Sequence, residues 1–261
     1  MTPLVPAPVH RPVHDLSDAV ALGLTKLLRA VADLFFSKRY GHRAVVLETV
    51  AAVPGMVAAT LLHLRGLRRM EGPDERWMHE LVDEAENERM HLLTFLALAQ
   101  PTRLERLIVL LAQGVFFNAF FLLYLLSPRT AHRLVGYFEE EAVVSYTRYL
   151  QEVEDGSIPD VAAPEIARRY WSLPERATLR DVIIAVRADE ARHRDANHGY
   201  ADRFGGGRGP VLQRAPAPGF TPPSGSGTAI GATSTGARPS SLSRPIFSAV
   251  AGDRSTMRPG T

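Results

Sequence analysis

The sequence contains no cysteine among its 261 residues. Disulfide bonds, iron–sulfur clusters, thiolate zinc sites and cysteine nucleophiles are therefore excluded. Any metal must be bound through nitrogen and oxygen atoms, a donor set that favours iron, manganese or zinc. The chain is long enough for one well-filled domain and too short for two large ones.

The chain also has little net charge and no signature of a nucleic-acid-binding module. Its 30 Lys and Arg residues nearly balance its 28 Asp and Glu residues. There is no basic strand interleaved with aromatic residues and no zinc-finger spacing, so we expect no nucleic-acid partner. Residues 1–14 have no apolar run of the kind found in secretory signals, and we expect a flexible N-terminus there.

Residues 205–261 are dominated by Gly, Pro, Ser and Thr and have no periodic apolar face. This composition predicts a disordered tail. Between the two ends, residues 15–204 carry helical periodicity and no convincing strand pattern. We therefore predict one helical domain over 15–204 and an all-α fold class.

Helix-boundary signals divide this domain into segments. Thr102 and Glu105 form a capping box, Ser127-Pro128 places an N-cap before Pro, and Gly66 closes the second helix. The predicted helices cover about 16–34, 40–64, 75–100, 103–126, 128–156, 163–171 and 179–203.

Two apolar stretches, 45–64 and 107–126, are each about 20 residues long and could cross a bilayer. A two-span membrane protein is therefore one interpretation. The first stretch contains Glu48 and the second contains Gln113 and Asn118. A carboxylate within an apolar segment usually marks a functional site, so the role of Glu48 decides between the interpretations.

The stretches NERMH (87–91) and DEARH (189–193) each place a Glu three positions before a His. On a helix this spacing puts Glu88 with His91, and Glu190 with His193, on one face, where each pair can bind a metal ion. One such pair is a weak signal, since most are solvated. Two pairs within apolar helices are a stronger one.

A further Glu on each of two other helices completes the pattern. Glu48 lies in LETVA (47–51), and Glu139 begins the Glu triplet in FEEEAVVSY (138–146). We choose Glu139 because it shares a helix face with apolar residues, and expect Glu140 and Glu141 to be solvated or ion-paired. Two single-Glu helices and two Glu-x-x-His helices are what a four-helix di-iron carboxylate bundle requires. The predicted metal ligands are Glu48, Glu88, His91, Glu139, Glu190 and His193.

The motifs LETVA, NERMHL, EEEAVVSYT and RADEARHRD resemble the four iron-binding boxes of the alternative oxidases, quinol oxidases of respiratory chains. The resemblance covers about 35–204. It implies a ferritin-like bundle with two Fe ions, held by the six residues above. It also implies oxidation of quinol with reduction of dioxygen to water, without proton pumping.

The resemblance also assigns roles to residues around the metals. Tyr146 matches a tyrosine thought to take part in oxygen reduction, and Asn87 and Asp189 match residues that orient the ligands. Arg192 stands where the family usually has His. His132 and Trp171 match family positions of less defined role. The implied quinol pocket consists of Arg43, Leu47, Glu141, Ala142 and Ser145.

The ligand set requires Glu48 to meet the other ligands in one bundle, so we reject membrane spanning. The resemblance implies instead that the first and fourth helices lie in one leaflet of a bilayer, although part of their apolar faces could form a homodimer interface. We expect the cytoplasmic face of a bacterial inner membrane, with the matrix face of the mitochondrial inner membrane as the alternative. Two other functions stay open: a di-iron hydroxylase of a quinone precursor or lipid, and a ferritin-like iron-binding protein.

Overall fold

The structure is a computed structural model that describes residues 10–36, 40–70, 75–99 and 101–206. In these ranges the one extended pairing is an isolated bridge between Ala162 and Thr178, so the predicted all-α class is confirmed. The helices are α1 (Leu16–Phe36), α2 (Tyr40–Arg69), α3 (Glu75–Leu98), α4 (Arg103–Leu126), α5 (Pro128–Glu154), α6 (Glu165–Tyr170) and α7 (Leu179–Phe204).

The predicted domain limits stay a prediction. Most of the expected N-terminal segment, residues 1–9, and nearly all of the expected tail, residues 207–261, lie outside the described residues. Within the described part, the ring of His10 lies 2.7 Å from the Glu140 carboxylate. The backbone N–H of Arg11 donates to the same carboxylate at 3.0 Å. Residues 10 and 11 are thus bound to α5.

The helix limits agree with the sequence signals except at the end of α2. Thr102 and Glu105 form the predicted capping box at α4, and Ser127 caps α5, which has Pro128 in its first turn. The expectation that Gly66 closes the second helix is wrong, because α2 continues to Arg69. A glycine inside a helix costs only about 1 kcal/mol. Met70, with φ of 53°, leaves the helical conformation instead.

The bundle is built from two closely packed helix pairs, α2 with α3 and α5 with α7. Glycine permits close approach in each pair. A Cβ at Gly55 of α2 would lie 2.5 Å from the Leu81 carbonyl oxygen of α3, and one at Gly136 of α5 would lie 2.5 Å from Nδ1 of His198 on α7. Each pair joins a helix with one predicted ligand to a helix with two.

Helix α1 packs against α5 with its polar side inward. Asp18, Ala21 and Thr25 are buried, whereas Leu16 and Leu34 are about four-fifths exposed, at 79% and 81%. Burial of Asp18 is compensated because Arg133, itself buried on α5, donates to its carboxylate at 2.8 Å. The apolar stripe of α1 therefore faces away from the bundle.

Two helices, α2 and α4, are long and apolar enough to cross a membrane by length and composition. They differ in burial: 56% of the apolar window of α2 is buried, against 11% for α4. α2 is thus a core helix, and it carries Glu48. Most of α4 presents apolar side chains on the outside of the bundle.

Candidate metal centre

The six predicted ligands come from four different helices and meet in the interior. Glu48 projects from α2, Glu88 and His91 from α3, Glu139 from α5, and Glu190 and His193 from α7. All six are buried. Because Glu-x-x-His spans one helical turn, α3 and α7 each present a carboxylate and an imidazole to the same point.

Their ligand atoms form two overlapping groups, in each of which all atoms lie within 4.8 Å of one another. Glu88 and Glu190 belong to both groups, so each could contribute to holding either of two metal ions. The two groups are Glu48, Glu88, His91 and Glu190, and Glu88, Glu139, Glu190 and His193.

The Nδ1 atoms of both histidines point at these shared carboxylates. His91 Nδ1 lies 3.3 Å from one oxygen of Glu88 and 3.3 Å from one of Glu190. His193 Nδ1 lies 2.6 Å from the other Glu88 oxygen and 3.9 Å from the other Glu190 oxygen. Each carboxylate thus divides its two oxygens between the two imidazoles.

Several atoms of the cluster contact one another without forming a hydrogen bond of good geometry, although burying an unpaired polar group is costly. Both oxygens of Glu88, Oε2 of Glu48, and Nδ1 of His91 and His193 are in this condition. Cations would satisfy all of them together and neutralise the concentrated negative charge. The donor set of carboxylate oxygens and imidazole nitrogens fits two first-row transition-metal ions.

The electrostatics of the cluster reflect crowded carboxylates in a dry interior. Burial, together with the neighbouring Glu88, raises the pKa of Glu48 well above its ordinary value. Burial and Glu190 do the same to the pKa of Glu139. Burial opposes protonation of His193, but Glu88 outweighs it and raises the pKa of His193 to about 9. Protons would therefore occupy ligand atoms wherever metal does not.

Asp189 orients His91 from the side opposite the ligands. Its Oδ2 lies 3.2 Å from Nε2 of His91, and the same oxygen accepts from Trp171 at 2.8 Å and from Asn87 at 2.9 Å. Although burial raises it, these hydrogen bonds lower the pKa of Asp189 to about 2. An ionised Asp189 requires the His91 proton on Nε2, which leaves Nδ1 free for a metal. Arg192 pairs with the second oxygen of Asp189.

Tyr146 of α5 is buried beside the cluster. Its hydroxyl donates to Oε1 of Glu48, and its ring stacks on Phe95 with centroids 5.6 Å apart. Burial and the charge of Glu48 raise the pKa of the Tyr146 hydroxyl well above 10. The phenol therefore holds its proton next to a predicted ligand.

Glu84 and Asn197 were not among the residues predicted from the sequence. The Asn197 amide donates to the two oxygens of buried Glu84 at 2.9 and 3.0 Å, and to the His193 carbonyl at 3.0 Å. Oδ1 of Asn197 lies 2.9 Å from Nδ1 of His132, one of the residues that the sequence analysis matched to a family position. Burial raises the pKa of Glu84 to about 7. Glu84 precedes Glu88 by four positions, so helical spacing would have placed it on the ligand face.

The residues expected to form a quinol pocket lie along α2 and α5, close to the cluster in sequence. Arg43 and Leu47 are one turn apart on α2, and Ala142 and Ser145 are one turn apart on α5. All four side chains are half-buried. Glu141 is ion-paired with Arg29 and lies 3.2 Å from the ring of His10. Arg43 is paired with Asp33 of α1.

An all-α bundle that converges two Glu-x-x-His pairs and two further Glu residues on one buried centre defines the class of four-helix carboxylate metal proteins. Comparison with known families shows which family of this class the chain belongs to. The profile described as "Alternative oxidase" matches residues 6–202. The chain belongs to the alternative oxidase family.

Curated relatives agree with this assignment. "Ubiquinol oxidase, mitochondrial" of Batrachochytrium dendrobatidis (strain JAM81 / FGSC 10211) is 57% identical over 200 residues, covering 77% of this chain and 63% of the relative. "Ubiquinol oxidase 2, mitochondrial" of Glycine max is 56% identical over 210 residues, covering 80% and 62%. "Alternative oxidase 3, mitochondrial" of Glycine max is 53% identical over 209 residues, covering 80% and 63%. The chain thus spans less than two thirds of the length of these relatives.

Proposed function

We propose that this protein is a quinol:oxygen oxidoreductase that oxidises ubiquinol or a related quinol and reduces dioxygen to water. The single observation that carries the proposal is the convergence of six buried ligands from four helices into two overlapping groups. The names of the relatives, ubiquinol oxidase and alternative oxidase, favour this activity over hydroxylation or iron storage.

We further propose that the bound metals are two iron ions. When bound, they would supply the redox chemistry that carries electrons from quinol to dioxygen. Glu48, Glu88, His91 and Glu190 would hold one ion, and Glu88, Glu139, Glu190 and His193 would hold the other. The unpartnered atoms of Glu48, Glu88 and both histidines support this arrangement.

Tyr146 is the proposed catalytic residue beside the metals. Its hydroxyl is held by Glu48 and retains its proton because burial disfavours the phenolate. A buried phenol within hydrogen-bonding reach of a ligand is positioned to donate a proton, or a proton with an electron, during oxygen reduction.

Arg43, Leu47, Glu141, Ala142 and Ser145 are the proposed quinol-binding residues. Leu47 directly precedes Glu48, and Ser145 directly precedes Tyr146, so the proposed quinol-binding residues lie on the same turns of α2 and α5 as the proposed reacting groups. The guanidinium of Arg43 and the hydroxyl of Ser145 offer polar contacts to the quinol oxygens, while Leu47 and Ala142 offer apolar contacts to its ring.

We propose that the protein binds to one face of a membrane through α1 and α4. The exposed apolar stripe of α1 and the exposed leucines of α4 would lie among lipid chains. Burial of the same faces in a homodimer is the competing arrangement. In either case, a bundle without spanning helices offers no path for proton pumping.

We place the protein at the mitochondrial inner membrane, on its matrix face. The reported relatives all carry "mitochondrial" in their names, which favours this alternative over the bacterial inner membrane that the sequence had suggested first.

The test of the proposed function is oxygen uptake by the purified, iron-loaded protein in vesicles with a short-chain ubiquinol. We expect cyanide-insensitive uptake of one dioxygen for two quinols, lost in Glu139→Ala. Glu154→Gln, which changes an exposed carboxylate at the end of the same helix, should keep both its iron and its oxygen uptake. Product hydroxylation, or uptake that does not depend on quinol, would contradict the proposal.

A further inference from the structure

A cavity of about 400 Å³ lies at the end of the bundle where α2, α4 and α7 end and α5 begins. Its volume falls in the range of about 300–1,000 Å³ that is typical of small-molecule sites. The walls include Leu61, Leu125 and Phe204. This cavity is distant in helix position from the proposed quinol-binding residues, which lie on the N-terminal half of α2 and in the middle of α5.

Three arginines line the same cavity: Arg65, Arg68 and Arg69 of α2. Among the described residues, none of the three lies within ion-pairing distance of a carboxylate. Arg68 donates only to the backbone carbonyl of Leu64, at 3.2 Å. By contrast, Arg133 on the same bundle is fully ion-paired. The cavity therefore combines apolar walls with three uncompensated positive charges.

The cavity opens beside the apolar outer face of α4. Leu122 and Leu125 are 57% and 56% exposed, and Leu126 at the end of the helix is 85% exposed. A small soluble anion would pair with the arginines but leave the apolar walls exposed to water. A neutral hydrocarbon would fill the walls but leave the guanidinium groups without a partner. An anionic amphiphile satisfies both sets of groups.

We propose that this cavity binds one anionic phospholipid, with part of an acyl chain against Leu61, Leu125 and Phe204 and the phosphate on Arg65, Arg68 and Arg69. Guanidinium groups bind phosphate oxygens through paired, charge-assisted hydrogen bonds, which gives preference over a zwitterionic headgroup. The proposal rests on membrane association as proposed above, but it does not depend on metal binding or on oxidase chemistry.

Binding is measured on the detergent-solubilised full chain by native mass spectrometry, with dioleoyl phosphatidic acid as the probe and dioleoyl phosphatidylcholine as the neutral comparison. We expect one phosphatidic acid to bind with roughly tenfold or greater preference. Arg65→Gln/Arg68→Gln should lower that affinity at least about tenfold. The matched control Arg103→Gln/Arg106→Gln removes two exposed arginines, also three positions apart, at the other end of α4, and should change the affinity less than about twofold.

A second pair of variants tests the apolar part without changing charge. Leu125→Trp places a larger ring in the cavity wall, whereas Leu122→Trp makes the same change one turn earlier, at equal exposure but outside the cavity. Only Leu125→Trp should weaken phosphatidic acid binding. The proposal would be overturned if Arg65→Gln/Arg68→Gln and Arg103→Gln/Arg106→Gln lost phosphatidic acid affinity equally. Unchanged phosphatidic acid binding in Leu125→Trp would also overturn it.

Competition with inorganic phosphate distinguishes a lipid site from an anion site. If phosphate displaced the lipid at comparable concentration, the apolar walls would contribute nothing and the lipid assignment would fail. None of these lipid-binding measurements depends on oxygen uptake. A protein that binds the lipid but oxidises no quinol would therefore refute only the proposed function.

Discussion

Asp189 on α7 accepts a hydrogen bond from Nε2 of His91 on α3 at 3.2 Å, so one Glu-x-x-His helix helps to orient a predicted ligand on the other. This contact crosses between the two helix pairs of the bundle. It fixes the ring so that Nδ1 faces Glu88 and Glu190.

Asp189→Asn should lower iron affinity by about 10- to 100-fold, because an amide cannot accept all the hydrogen bonds from His91, Trp171 and Asn87 that the carboxylate accepts. Ferrous titration with metal analysis of the equilibrated protein measures the change. Asp195→Asn, a side chain on the same helix that is 56% exposed, provides the control. Equal affinity in both variants would show that Asp189 does not orient the ligand.

Tyr146→Phe should keep the iron content and lower quinol-dependent oxygen uptake by about 100-fold, because the ring packing against Phe95 remains while the proposed proton donor is lost. Tyr137→Phe is the matched control: that tyrosine is buried on the same helix, but its hydroxyl binds the Arg11 carbonyl at 3.2 Å. Loss of iron in Tyr146→Phe would indicate that the hydroxyl supports Glu48 rather than the reaction.

Metal affinity should rise with pH between about 6 and 9. The pKa of His193 is raised to about 9, and those of Glu48 and Glu139 are also raised, so protons compete with metal below these values. Raising the pH removes the competitor, and affinity therefore increases. Titration of the metal-stripped protein with Zn²⁺ in weak buffer should release at least one proton per chain at pH 7. Binding without proton release would contradict the protonated state inferred for the cluster.

Gly136→Ala should destabilise the fold by about 1–3 kcal/mol, since its Cβ would lie 2.5 Å from the ring of His198. That ring has little room to move, because it lies 2.9 Å from both Arg133 and Glu140. Gly114→Ala is the control: nothing lies within 4 Å of its added Cβ, and helix propensity predicts a gain of up to about 1 kcal/mol. Thermal unfolding in detergent compares the two. Similar unfolding temperatures would show that α5 and α7 tolerate a wider spacing.

Local sequence signals predicted the helices well because capping and periodicity act over a few residues. The Thr102 capping box and the Ser127-Pro128 start are examples, and each is present in the structure. The prediction that the second helix ends at Gly66 was wrong because glycine lowers helix propensity without forbidding a helix. Packing of α2 against α3 outweighs that cost.

The buried cluster of Glu and His side chains was also predictable from the sequence, because the Glu-x-x-His spacing lies within one helical turn and Glu139 shares a face with apolar residues. Glu84 carried the same local signal, four residues before Glu88. Its partner Asn197 is 113 positions away, and no local pattern predicts that pairing. The same limit applies to Asp18 and Arg133, which meet across 115 positions.

By itself, therefore, the sequence determined which segments are helical and which carboxylates and imidazoles share a helix face, since both depend on spacing within a turn. Only the tertiary structure decided which polar groups compensate one another in the interior. The apolar stripe of α1 has the periodicity of a core helix, yet its polar side is buried because Arg133 neutralises Asp18. That outcome depends on charges brought together from distant parts of the chain.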